Sequence, residues 1–151
     1  MTAPSGNRRQ SREAALGYLY QSALGVDTRT QPVQSFINHF QLSEAFRPYF
    51  ERIVEGVVRL QDVLDLEIET AAENWKISRM SKVDLSILRM ATFELVECVE
   101  TSHQIIIDEA VELAKTYGNS DSSSFVNGIL DRIAQKLRGP REGVADLLKA
   151  R

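Results

Sequence analysis

Cysteine occurs once in this chain, at Cys98, so no intramolecular disulfide can form, and its setting in an apolar helical stretch points to a buried thiol. Histidine occurs twice, at His39 and His103, far apart and outside any metal-binding spacing. Both read as surface or capping residues. No apolar run approaches the roughly 20 residues needed to span a bilayer, so no membrane contact is expected. The first ten residues, MTAPSGNRRQ, lack the apolar centre of a secretory signal, and a cytoplasmic location is the expectation. The glycines form neither a phosphate-binding loop nor a dinucleotide fingerprint. Ser122, Ser123 and Ser124 read as a serine-rich turn, and Asp108 with Glu109 as first-turn acids that complement a helix dipole. No catalytic residue, cofactor or metal is therefore expected, and the chain does not read as an enzyme.

What the chain does have is helical periodicity, over 151 residues with 43% hydrophobic content, enough for one compact domain over 1–151. No segment alternates like a strand, so the fold class is all-α. In the first helix Leu16, Leu19, Tyr20, Ala23 and Leu24 fall on one buried stripe, and Gly25 and Asp27 end it. Asn7 is placed to cap its start. Pro32 opens a short helix carrying Phe36, Ile37 and Phe40, and Pro48 opens a long stretch whose stripe runs from Phe50 to Trp75. That stretch is either one helix or two with a bend near 60 to 63. From Ser81, SKVDLSILRMATFELVECV is apolar on more than one face and reads as the central buried helix.

The segment HQIIIDEAVELAKTYGNSDSSSFVNGILDRIA, 103–134, spells two amphipathic helices and their turn. Ile107, Ala110, Val111, Ala114 and Tyr117 form the first stripe, with Gly118 as a left-handed cap. Asp121 or Ser120 starts the next helix, whose stripe is Phe125, Ile129, Ile133 and Leu137. Gly128 inside that helix calls for a closely packed neighbour to offset its cost of about 1 kcal/mol. Gly139 and Pro140 terminate the element, which sets a core of about 8–138 and a C-terminal extension, 139–151, that is either a short helix or frayed. Six or seven helices with short connections make a compact bundle.

Charge is unevenly spread. Arg8, Arg9 and Arg12 give the start +3, and residues from Arg132 onward give +4, so the segment 13–131 carries −10 within a formal net charge of −3. Basic ends around an acidic middle fit either a polyanion ligand or solvated tails. Arg8 and Arg12 share a helical face with Arg9 beside them, a cluster of guanidinium forks suited to phosphate oxygens, or else a solvated face paired with carboxylates. Phe125, near a helix N-terminus, either stacks on an unpaired base or packs in the core.

Three motifs, RRQSREAALGYLYQ at 8–21, SKVDLSILRMATFEL at 81–95 and the segment 103–134, together resemble the NusB family of bacterial transcription antitermination factors. The resemblance runs to about residue 137 and implies about seven helices in two packed three-helix bundles. It also implies binding of the single-stranded boxA element of ribosomal RNA transcripts. The implied partners are NusE, a small-subunit ribosomal protein, and an antitermination complex on RNA polymerase, and a homodimer is possible because some members form one. By position, Arg8, Arg9 and Arg12 match the RNA-contacting arginine-rich start, and Tyr20 an aromatic position on that helix. Asp121 and Phe125 match RNA-surface residues, and Asp84 an acidic position near the RNA and NusE interfaces. RRQSR is less basic than the run in some members, so the partner is expected to supply part of the RNA affinity. The alternative is a protein-interaction module or homodimer with minor RNA contact, related to the NusB-like domain of ribosomal RNA methyltransferases.

Overall fold

The computed structural model describes residues 5–25 and 33–137. They form six α-helices: α1 (Ser5–Ala23), α2 (Val33–Phe40), α3 (Arg47–Ala72), α4 (Lys82–Glu97), α5 (His103–Tyr117) and α6 (Ser122–Lys136). A 3-10 turn at Ile77–Arg79 bridges α3 and α4, and there is no strand among the described residues. Helices α1 to α3 make one three-helix group and α4 to α6 the other, joined along the extensive α3–α4 face. Asp27, Pro32, Gly139, Pro140 and the whole extension lie outside the described residues, which hold six α-helices where about seven were expected.

The α3 stretch is one unbroken helix of 26 residues with Pro48 in its first turn, where the missing N–H costs nothing. Phe50, Ile53, Val54, Val57, Leu64 and Ile68 are fully buried along it, and each such side chain contributes about 1.5–3 kcal/mol. Gly56 lies on the same face, where an added Cβ would meet the Phe93 ring at 2.0 Å, so the close α3–α4 approach depends on glycine there. The helix stops at Ala72 because Glu73 turns to φ 55°, ψ −76°, a positive-φ conformation that costs a non-glycine residue about 1–3 kcal/mol. Trp75 therefore leaves the stripe it was expected to extend. It stands exposed in the turn.

Helix α4 is the centre of the molecule. Leu85, Ile87, Leu88, Met90, Ala91, Phe93, Leu95 and Val96 bury on every face, as its apolar composition requires. Ser81 caps it, its Oγ accepting the Asp84 N–H at 3.0 Å. Ser102 does the same for α5, accepting from the Ile105 N–H. His103 is thus the first helical residue and not the cap, and Asp108 and Glu109 fall in the second turn, beyond the reach of the dipole argument. Cys98, at the end of α4, is buried as expected.

Several local expectations are corrected. Asn7 lies inside α1, which begins at Ser5, and its carbonyl accepts from Ser11 Oγ. The buried stripe of α1 is Ser11, Arg12, Ala15, Leu16, Tyr18 and Leu19, while Tyr20 and Leu24 are exposed: two polar residues extend the stripe toward the N-terminus, a continuation that hydrophobic periodicity does not register. Gly25, at φ 94°, does end the helix. Tyr117 is also exposed. Gly118 is extended, at φ −92°, ψ −168°, and is there because a Cβ would collide with Ser122. Neither Asp121 nor Ser120 provides a side-chain cap for α6. Asn119 accepts the Asp121 N–H through Oδ1, and Ser122 Oγ accepts the Asn119 N–H. Gly128 faces open space, without the packed neighbour expected of it.

Candidate nucleic-acid interface

The three N-terminal arginines share a motif but not an environment. Arg12 is enclosed, with Nε donating to Glu94 Oε1 at 3.0 Å and Nη2 to Oε2 at 2.8 Å, and the two side chains only 4% and 3% exposed. Burial opposes the guanidinium charge, but hydrogen bonds and Coulomb attraction to Glu94 outweigh it and hold the pKa above its usual value. Arg8 is half-buried, donating to Thr101 Oγ1 at 2.8 Å and lying 3.8 Å from Glu100. Only Arg9 reaches solvent fully, its side chain 61% exposed while its Nε and Nη2 hold Glu109 at 3.1 and 3.0 Å.

Tyr49 on α3 organises the buried part of this cluster. Its hydroxyl donates to Glu94 Oε2 at 2.7 Å, and the guanidinium carbons of Arg8, Arg12 and Arg52 lie 4.7, 5.5 and 6.0 Å from its ring centroid. Arg52 in turn bonds Glu100. Burial, then the charge of Glu94, raises the Tyr49 pKa, so the phenol keeps its proton. The same two causes push the neighbouring Cys98 thiol up to about 11. One aromatic ring and two carboxylates thus tie the start of α1 to α3 and α4.

Tyr20 lies about 16 Å further along α1 from Arg9, at 1.5 Å per residue. With Glu13, Leu16, Gly17, Val83 and Tyr117 it lines an open, largely apolar groove of about 350 Å³. Tyr117 donates to Glu13 Oε2 at 3.1 Å. Because Arg9 meets Glu109 and Glu13 meets Tyr117, α1 and α5 run in the same direction, which brings the end of α5 beside Tyr20. Asp84, one residue after Val83, is buried, and its Oδ1 has no hydrogen-bond partner among the described residues.

The α5–α6 turn starts at this same end. Asp121 is exposed at the start of α6 with no side-chain hydrogen bond to the helix. Phe125, one turn on, is partly buried against the core and meets the exposed Trp75 edge-on, ring centroids 6.0 Å apart at 80°. Of the two readings of Phe125, core packing is thus seen for the part of the ring that meets the core. Arg9 and Tyr20 are exposed on the side of α1 that faces α5, and Asp121 follows α5 at the end nearer Tyr20, whereas Arg12 and Asp84 are buried. Tyr49, Glu94, Glu109, Tyr117 and Trp75 were not singled out from sequence for this region. Glu94 and Glu109 meet their arginines across 82 and 100 residues, so no local pattern marks them.

Among the described residues no group of three or more histidine, cysteine, aspartate or glutamate side chains is placed to hold a metal, and no helix is long and apolar enough to cross a membrane. The NusB family model matches residues 9–135. The transcription antitermination protein NusB of Acetivibrio thermocellus is 40% identical over 128 residues, covering 85% of this chain and 88% of that protein. The transcription antitermination protein NusB of Myxococcus xanthus is 39% identical over 139 residues, covering 89% and 99%. Among solved structures, T. maritima NusB superposes with a TM-score of 0.77 at 30% identity, covering 98% of this chain and 99% of that one. A crystal structure of the antitermination factors NusB and NusE in complex with double-stranded RNA gives 0.78 at 22% identity, covering 87% and 98%, a likeness of fold. A family match across most of the chain, carried by the same helices that frame the arginine cluster, places this protein in the NusB family of transcription antitermination proteins.

Proposed function

We propose that this chain binds the single-stranded boxA element of ribosomal RNA transcripts and acts with NusE in an antitermination complex on RNA polymerase. The observation that carries the reading is the edge described above, where an exposed arginine, an exposed tyrosine and the start of α6 lie along α1 and α5. Arg9 supplies a guanidinium fork for phosphate, Tyr20 and Phe125 supply faces for unpaired bases, and Asp121 accepts from base N–H groups. Arg8 contributes at the rim of the cluster. Arg12 acts from inside, holding α1 so that Arg9 keeps its place. Asp84, with an unpartnered buried oxygen next to the groove, is suited to a donor from NusE. The work is binding, with no covalent chemistry.

Titration of fluorescently labelled boxA RNA and a scrambled RNA with the chain, alone and premixed with NusE, tests this reading. Preference for boxA that strengthens with NusE is expected. Failure to bind either RNA under both conditions overturns it. The second reading, a docking module or homodimer with minor RNA contact, is favoured by the apolar groove beside Asp84. Sedimentation equilibrium separates the two: a dimer that ignores both NusE and RNA would support the second.

A further inference from the structure

We propose that Trp75 is a base-stacking residue which, with the cations Lys76, Arg79 and Lys82, carries a single-stranded RNA onward from Phe125 across the turn between α3 and α4. The proposal rests on the RNA-binding reading above and extends its path by one aromatic platform.

Three observations converge on this turn. First, Trp75 is 51% exposed, although the helix before it offers a buried stripe that its side chain could have continued. The positive φ at Glu73 ends that helix and takes Trp75 off the core. Exposure of so large an apolar surface costs solvation energy that packing elsewhere must outweigh, and an aromatic platform for a base is a use that recovers it. Second, the indole is not loose. Its edge-on contact with Phe125, at 6.0 Å and 80°, sets it against a ring that lies in the first turn of α6, where N–H groups and the helix dipole favour phosphate.

The third observation is charge. Between residues 13 and 131, an acidic segment, there are nine lysines and arginines, and three of them fall within 76–82. Lys76, Arg79 and Lys82 are all exposed, and none makes an ion pair or side-chain hydrogen bond with a described residue. Arg8, Arg9, Arg12, Arg47, Arg52 and Arg89, by contrast, are all engaged with carboxylates. An exposed aromatic followed in the same short connection by three exposed, unpaired cations is the combination that single-stranded nucleic acid recognition uses: stacking for the base, point charges for the phosphates on either side. A duplex keeps its bases stacked internally and offers the indole no face, so the occupant is an unpaired strand.

Trp75 is the chain's single tryptophan, so its emission reports this site alone. The full-length protein is titrated with unlabelled single-stranded boxA RNA while tryptophan emission is followed, and in parallel with labelled RNA while anisotropy is followed. Quenching that saturates at the anisotropy midpoint is expected, together with much weaker quenching by the same sequence as a duplex. Trp75→Ala should lower affinity about tenfold and Trp75→Phe should recover most of it, with helical circular dichroism unchanged. Anisotropy that reports binding while tryptophan emission stays constant overturns the proposal and leaves the RNA-binding reading intact. So does a Trp75→Ala affinity within about twofold of the parent. Absence of any anisotropy change, alone or with NusE, overturns both.

Discussion

Arg12 and Glu94 stand 82 residues apart in sequence and meet in a two-point ion pair between α1 and α4, with Tyr49 donating a further hydrogen bond to the same carboxylate. Removing one member strands the other charge in a dry site. Arg12→Ala and Glu94→Gln are each expected to lower stability by about 3–5 kcal/mol, as urea titration would show. Arg12→Lys is expected to restore only part of the loss, because an ammonium cannot make the two-point contact. Loss of RNA binding by Arg12→Ala should track unfolding rather than a missing phosphate contact.

Arg9 should behave in the opposite way. Its pair with Glu109 is exposed, and such pairs contribute little to folding, so Arg9→Ala should leave the melting temperature unchanged. The same substitution should weaken boxA RNA binding and reduce the slope of log affinity against log salt by about 0.7, the single-strand value for one phosphate contact. Glu109 competes with phosphate for that guanidinium, with Glu13 and Glu112 adding to the field on Arg9. Glu109→Gln is therefore expected to tighten RNA binding at low salt, and an unchanged or weaker affinity in the same titration would count against Arg9 as a phosphate contact.

Two glycines separate packing from propensity. Gly56→Ala would drive a methyl group into the Phe93 ring, and a destabilisation of about 1–3 kcal/mol is expected from overpacking the α3–α4 face. Gly128→Ala meets open space within a helix and should raise stability by up to about 1 kcal/mol. Chemical denaturation of the two variants side by side checks both signs.

Cys98 gives a pH prediction. Its folded pKa, pushed up to about 11 from 9.0 by burial and by Glu94, means that the unfolded chain ionises first as pH rises. Stability is retained below pH 9 and falls progressively from about 9 to about 11, with Tyr49 adding a shift of the same sign. Alkylation by iodoacetamide at pH 8 should be slow in the folded protein and fast in denaturant. Rapid labelling of the folded chain would contradict the burial of this thiol.

Helix α4 was legible from its residues alone because an apolar surface on every side has one stable place, the middle of a bundle. The α5 and α6 stripes were legible for the simpler reason that spacing of three and four residues sets a face. Caps were less so: Ser102 and Ser81 follow the side-chain rule, whereas the α6 start is built by Asn119 and Ser122 exchanging bonds across a turn that Gly118 makes possible by lacking a Cβ. In α1 the inward face continues through Ser11 and Arg12, whose polarity disguises it. Trp75 misled in the other direction, since it keeps the period of α3 but comes after the residue that ends the helix.

Periodicity, charge and the three motifs determine by themselves an all-α bundle, an arginine-rich start and membership of the NusB family. Which arginine is exposed was decided only in three dimensions. Arg8, Arg9 and Arg12 are chemically equal in sequence, and their difference comes from Glu100, Glu109, Glu94 and Tyr49, carried to them by α3, α4 and α5. Ion pairing and burial depend on neighbours brought in by packing, and no local pattern contains those neighbours.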